Sequence, residues 1–269
     1  MNFKKNNSII KTSINSDGVF RITLNNPNNH NALSEEMISN IQLAIDESIN
    51  DKKIRVVIIS AEGSTFSAGH DLKELKKGRK KSDGGKEYFN TIMKKCSKLM
   101  QSIVNNPKPV IAEVGGIATA AGCQLVASCD LAYASNSAKF ATPGVNIGLF
   151  CSTPMVALSR NISNKQSMEM LLNGDLIASK KAEKIGLINE VVNDKLLEKF
   201  TMEKAIKISK KSAMTLKIGK EAFYKQINMT LSEAYDYASD VMVKNMLKLD
   251  ADEGIDAFIN KRKPNWKDK

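Results

Sequence analysis

Two short stretches of the chain have residue types and spacing suited to holding an anionic oxygen. One is Phe66-Ser67-Ala68-Gly69-His70-Asp71-Leu72; the other is Gly115-Gly116-Ile117-Ala118-Thr119-Ala120-Ala121-Gly122-Cys123-Gln124. Each follows an apolar run that reads as a buried strand, turns on small residues and leads into a helix. The first amides of a helix have no partner inside it and carry partial positive charge. Two such junctions brought together present two N–H groups to one oxygen, as the enolate of a thioester requires. Small residues at a junction also let a helix pack closely on a strand with no ligand involved, and spacing alone leaves both readings open.

Few other side chains offer chemistry. His70 is the one imidazole near either junction, and at its ordinary pKa it could move a proton. The run Asn146 to Thr153 adds Cys151 and Ser152. Cys151 as a nucleophile needs a lowered pKa and a nearby base, and the alternative is a buried, inert thiol. Ser152, Thr153 and Gln124 have hydrogen-bonding groups that can hold a water or a substrate carboxylate.

Positioning these groups requires alternating strands and helices. Ile9–Ile14 and Val19–Leu24 flank Ser16-Asp17-Gly18, a hairpin signal. Ser34 caps a helix with Glu35 and Glu36 in its first turn and an apolar face of Met37, Ile38, Ile41, Ile45 and Ile49. Arg55–Ser60 and Pro109–Val114 read as buried parallel strands, Glu87–Val104 as a helix, Thr119–Ser128 as a helix of small residues and Asp130–Ala134 as a further strand. Ala61–Gly69 reads as a loop, and Lys76–Lys86 as a mobile, charged surface segment. This alternation predicts an α/β fold with a parallel sheet. From Pro154 onward the pattern is mainly helical, broken near Gly186–Val192. The expected organisation is a core over residues 1–193 followed by a helical region over 194–269.

Composition narrows the function further. With 269 residues the chain can bury a large core. No apolar run approaches the roughly 18 residues of a membrane helix, so the expectation is a soluble protein without a membrane partner. Met1–Ser8 is polar and shows no signal-peptide core, which makes the cytoplasm the default compartment. A short or trimmed mitochondrial presequence is the alternative. Cys96, Cys123, Cys129 and Cys151 show no CxxC spacing and suggest no disulfide framework. His30 and His70 belong to no metal-ligand cluster, so no metal is expected. The net charge of +11 suits a phosphate-rich small ligand, though composition bias also accounts for it. The lysines form no basic stripe with interleaved aromatics, so nucleic acid is not an expected partner.

Over nearly its full length the chain resembles the enoyl-CoA hydratase/isomerase (crotonase) superfamily. The resemblance rests on Asn25–Ser34 (NNPNNHNALS), Phe66–Leu75 (FSAGHDLKEL), Gly115–Asp130 (GGIATAAGCQLVASCD), Phe140–Gly148 (FATPGVNIG) and Glu253–Trp266 (EGIDAFINKRKPNW). Their order and separations follow the family pattern, and three of the runs are characteristic of one branch of it. The resemblance implies a spiral of β-β-α repeats with a C-terminal helical region that trimerises, and trimers that pair into hexamers. It implies an acyl-CoA thioester as ligand, with coenzyme A as part of the substrate and no permanently bound cofactor. The oxyanion-hole amides would be the backbone N–H groups of His70 and Ala121. Contacts to coenzyme A would involve Ala68, Asp71 and Lys73, with Phe258 and Lys261 reaching it from a neighbouring subunit.

The same resemblance exposes departures. The two glutamates of an ordinary hydratase fall on Gln124 and Gly144, and Asn28 replaces a basic residue of the coenzyme A loop. Neither an amide nor a glycine exchanges a proton near neutral pH. Losing each general acid–base group costs roughly 10²–10⁴-fold. Efficient hydration by the usual route is not expected. Decarboxylation, slow thioester hydrolysis and acyl-CoA binding without turnover stay open.

Overall fold

The computed structural model describes residues 9–269. The polar start read as lacking a signal peptide, residues 1–8, lies outside the described residues. Strands β1 (Ile10–Ile14) and β2 (Val19–Leu24) form the expected hairpin. Its turn is fixed by Asn15, whose Oδ1 accepts from the amides of Asp17 (3.0 Å) and Val19 (2.9 Å), while Gly18 takes the left-handed conformation at φ 76°. Helix α1 (Glu35–Asn50) starts where Ser34 Oγ accepts from Met37 N at 3.1 Å. It buries Met37, Ile38, Ile41 and Ile45, while Ile49 stays at the surface.

A repeating pattern then sets in. β3 (Val56–Ala61) is followed by β4 (Thr65–Ser67) and by helices α2 (Leu72–Gly78) and α3 (Lys86–Val104). β5 (Val110–Val114) and β6 (Ile117–Thr119) lead to α4 (Ala121–Ser128). β7 (Leu131–Ser135) and β8 (Lys139–Ala141) lead to α5 (Ser152–Leu158) and α6 (Asn164–Asn173). Then come β9 (Ile177–Ala178), α7 (Ser179–Lys184) and β10 (Glu190–Val192). The first strand of each pair joins a six-stranded sheet in the order β1-β2-β3-β5-β7-β10, parallel apart from the hairpin. The second joins a four-stranded sheet in the order β4-β6-β8-β9, parallel except at β9. This is the expected spiral of β-β-α repeats.

Side chains of β3 alternate between two cores, as the two-residue period of a strand demands. Val57 and Ile59 belong to the core that also holds the apolar faces of α1, α3 and α4, whereas Val56 and Ile58 belong, on the opposite face, to the one that holds Leu197 and Ala205 of α8 (Leu197–Ser209). The remaining helices are α9 (Ala213–Gln226), α10 (Leu231–Met246) and α11 (Leu249–Ile259). Lys220 of α9 ties them to the core. Its Nζ donates to Asp130 Oδ2 (2.7 Å) and to the carbonyls of Ile103 and Lys108 (3.1 Å each), and Tyr224 donates to Asp130 Oδ1 at 3.0 Å.

Three expectations need correction. The stretch read as a loop before Gly69 contains β4, and Thr119 ends β6 instead of opening a helix. Lys76–Lys86 is ordered structure: it begins with the last turn of α2, and Asp83 accepts from Gly85 N (2.9 Å) and Glu87 N (2.8 Å) to cap α3. An alanine-sized side chain at Gly78 would collide with the Tyr88 ring, so this segment packs tightly on α3.

Candidate active site

The two junctions singled out above meet in space. β4 pairs with β6 in parallel, which sets the ends of both strands side by side. A Cβ placed on Gly69 (φ 85°) would lie 3.0 Å from Ala121 N and 2.9 Å from Ala120 Cβ. The first junction is held by backbone bonds from Ala68 N to His30 O (3.1 Å) and from Leu33 N to Gly69 O (2.7 Å). The second is held by Ala120 N donating to Ala141 O at 2.9 Å. None of these bonds uses the amide of His70 or of Ala121.

Ala120 sits at φ 49°, ψ −119° immediately before α4. That region is strained for a residue with a Cβ, and such outliers persist where the surrounding structure over-determines them. Gly122 explains how the junctions come so close. A Cβ there would stand 2.8 Å from the carbonyl carbon and Cβ of Ser67, and nearer still to its carbonyl oxygen. The fully buried Asn31, at φ 47°, locks the loop beneath. Its Nδ2 donates to Glu62 O (2.9 Å) and Thr65 O (2.7 Å), while its carbonyl accepts from Ser67 Oγ (2.8 Å).

Two buried polar atoms near these junctions find no hydrogen-bond partner among the described residues, Oε1 of Gln124 and Oγ1 of Thr142, while the His70 imidazole faces the Leu33 backbone. Burial also pulls the His70 imidazole below its ordinary pKa, partly offset by the Leu33 backbone. Thr142 was missed by sequence reasoning, because a threonine before Pro143 reads as a turn residue.

The other candidate positions divide. Asp71 caps α2: its Oδ1 accepts from Lys73 N (2.8 Å) and Glu74 N (3.2 Å), and its Oδ2 from Asn29 Nδ2 (2.7 Å). These bonds hold its carboxyl below the usual range against a desolvation that acts the other way. Ala68 and Lys73 lie exposed on either side of it, and Asn28 is exposed in the 3-10 turn Pro27–Asn29. Gly144 is enclosed, since a Cβ would sit 2.8 Å from Leu149 O and 2.9 Å from Cys151 Sγ. Cys151 is buried and its thiol is pushed up by desolvation, as is that of Cys123, to about 12. Ser152 is exposed at the start of α5, near Ile147, Leu149 and Phe150, whose apolar side chains also face outward. Phe258 is 86% exposed on α11, and Lys261 follows the helix at φ 52°. Among the described residues no hydrogen bond or ion pair ties either to the junctions of the same chain.

Residues 15–269 match the family model described as enoyl-CoA hydratase/isomerase. A Xenopus laevis protein named enoyl-CoA hydratase domain-containing protein 3, mitochondrial, is 49% identical over 93% of this chain and 83% of its own length. The crystal structure of the human enoyl coenzyme A hydratase domain-containing protein 3 superposes with a TM-score of 0.91. It is 46% identical and covers 96% of this chain and 100% of that one. An enoyl-CoA hydratase structure from Mycobacterium smegmatis gives a TM-score of 0.92 at 42% identity, covering 97% and 99% of the two chains. Fold, motif order and these likenesses agree, and the chain belongs to the enoyl-CoA hydratase/isomerase family.

Proposed function

We propose that the protein binds an acyl-CoA thioester with its carbonyl oxygen between the amides of His70 and Ala121, and that its reaction is not ordinary hydration. The observation carrying this reading is the environment of Gln124 and Gly144. Neither position has a carboxyl, and Leu149 O and Cys151 Sγ occupy the space a side chain at Gly144 needs. Of the other titratable groups there, the Cys151 thiol is held toward its protonated form, and a lowered pKa makes the His70 imidazole a weaker base. What the junctions still supply is electrostatic stabilisation of an oxygen that gains negative charge. Loss of CO2 from a malonyl-type thioester needs that and no base, because the electron pair of the breaking C–C bond becomes the enolate, which then takes a proton from water. The coenzyme A moiety belongs to the substrate, with Lys73 beside its phosphates.

The exposed apolar side chains of α9 to α11, among them Phe223, Ile227, Leu231, Met246 and Phe258, support a homotrimer or a pair of trimers. In that assembly Phe258 and Lys261 serve a neighbouring subunit's ligand. The curated relatives are mitochondrial by name, which favours the mitochondrial matrix over the cytoplasmic default.

The test is the enoyl-thioester absorbance of crotonyl-CoA and longer enoyl-CoAs, with an ordinary hydratase alongside. Expected is a rate lower by at least roughly 10²-fold, together with saturable binding of acyl-CoA. A rate near that of the ordinary enzyme overturns the reading of Gln124 and Gly144.

A further inference from the structure

Lys73, Lys76, Lys77 and Lys80 stand at i, i+3, i+4 and i+7 along α2 and the turn that extends it, where Lys80 N donates to Lys77 O at 3.1 Å. That spacing lines one face of a helix. All four side chains are exposed, as are those of Arg79, Lys81 and Lys86. The opposite face is packed: Leu75 is half-buried, and Gly78 lies against the Tyr88 ring of α3. The carboxylates close by in sequence are spent on backbone amides. Glu74 Oε2 accepts from Glu35 N at 2.9 Å, Asp71 caps α2 and Asp83 caps α3. Among the described residues, Lys76, Lys77, Arg79 and Lys80 form no ion pair. The result is a rigid, uncompensated basic face.

We infer that this face docks the protein on an anionic phospholipid surface. A protein partner needs an apolar centre to its interface. What α2 turns outward is charge, with the single apolar side chain of Leu72 at its start. Aromatic rings that could stack on nucleic-acid bases are engaged, since Arg79 lies over Phe89 at 5.8 Å and Lys81 over Tyr88 at 5.1 Å. An anionic bilayer requires neither feature. It attracts clusters of roughly four to eight Lys and Arg, each worth about 5-fold in partitioning when held near the surface. Such contact is peripheral, because no helix among the described residues is long and apolar enough to cross a membrane. It adds a membrane surface as a partner where the lack of a spanning segment suggested none.

Co-sedimentation of the protein with vesicles of phosphatidylcholine alone, or of phosphatidylcholine mixed with phosphatidylglycerol, tests this. Retention is expected on the mixed vesicles only, and its loss is expected at about 1 M salt, where the Debye length is roughly 3 Å. Replacing Lys76, Lys77 and Lys80 together by Gln is expected to lower partitioning about 100-fold. Replacing Lys180, Lys184 and Lys195 by Gln removes the same net charge from other exposed positions and is expected to leave partitioning unchanged. Calorimetric titration with butyryl-CoA is expected to give one Kd for the unsubstituted protein and the first triple variant. No retention on mixed vesicles, or equal retention on phosphatidylcholine alone, overturns the inference. An equal fall in both triple variants overturns it in favour of the overall charge of +11. A butyryl-CoA affinity that falls together with vesicle binding assigns the face to the ligand's phosphates instead. Stronger retention by a short RNA duplex than by mixed vesicles overturns it in favour of nucleic acid. The acyl-thioester reading stands or falls separately, on butyryl-CoA binding by the unsubstituted protein.

Discussion

Replacing Gly122 by alanine separates packing from binding. Its new Cβ would approach the Ser67 backbone at 2.8 Å and less, on the strand that leads to Gly69 and His70. Backbone cannot rotate away as a side-chain tip can, so α4 and β4 must move apart by a sizeable fraction of an ångström. Alanine gains about 1 kcal/mol over glycine inside a helix. Overpacking against a fixed neighbour costs typically 1–3 kcal/mol, occasionally more. The upper end applies here, and the net loss is about 2 kcal/mol. At roughly 2–4 °C per kcal/mol for a chain of this class, Tm falls by about 5 °C. The same displacement moves the His70 amide relative to that of Ala121, weakening one of two hydrogen bonds to the thioester oxygen. A hydrogen bond worth about 1 kcal/mol corresponds to roughly 5-fold in Kd. Differential scanning calorimetry and titration with butyryl-CoA read the two effects. Gly219→Ala on α9, where a Cβ meets nothing within 4 Å, is the control, with Tm raised and Kd unchanged. An unaltered Tm in Gly122→Ala would refute the packing argument; a lowered Tm with full affinity would refute the link from packing to site.

Further outcomes follow from the same geometry. Gly144→Glu is expected to lower stability by about 1–3 kcal/mol without restoring hydration of crotonyl-CoA, because Leu149 O and Cys151 Sγ stand in the way; a stable, active variant contradicts this. Ala120→Gly is expected to raise stability by about 1 kcal/mol in urea unfolding, since relief of strain of order 1–3 kcal/mol exceeds the entropic cost of glycine. Destabilisation there would show that Ala120 is unstrained. Arg262 and the Asn265 amide hold the Glu253 carboxyl down to about 2. A folded-state pKa below the unfolded value gives stability that is present above about 4.5 and lost as pH falls toward 2. Glu253→Gln is therefore expected to flatten the fall in Tm between pH 5 and pH 2, and an unchanged profile would remove Glu253 from that account.

How legible this was in the sequence depended on element length. The hairpin at Gly18, the Ser34 cap and the apolar runs of β3 and β5 carry strong local signals, and each formed close to where it was expected. The second sheet was invisible because β4, β6 and β8 have only three residues each, too few to show a two-residue period. The last turn of α2 was misread because its lysines and Gly78 imitate a solvated loop, whereas packing of Gly78 on Tyr88 fixes it. The two junctions of the candidate site were visible as small-residue turns after strands. That they touch was not, since their contact depends on the pairing of β4 with β6 and on Gly122 lying against Ser67. Nor could spacing reveal that Asp71 spends its carboxylate on capping, or that Cys151 fills the space beside Gly144.

The central claim is that the amides of His70 and Ala121 hold the thioester oxygen. An infrared difference spectrum of bound butyryl-CoA, isotope-labelled at the thioester carbonyl, tests it most directly. Two backbone donors aimed at that oxygen polarise the bond, so the carbonyl stretch is expected at lower frequency than for the free thioester in water. A bound ligand whose carbonyl stretch stays at or above the value in water would contradict the account.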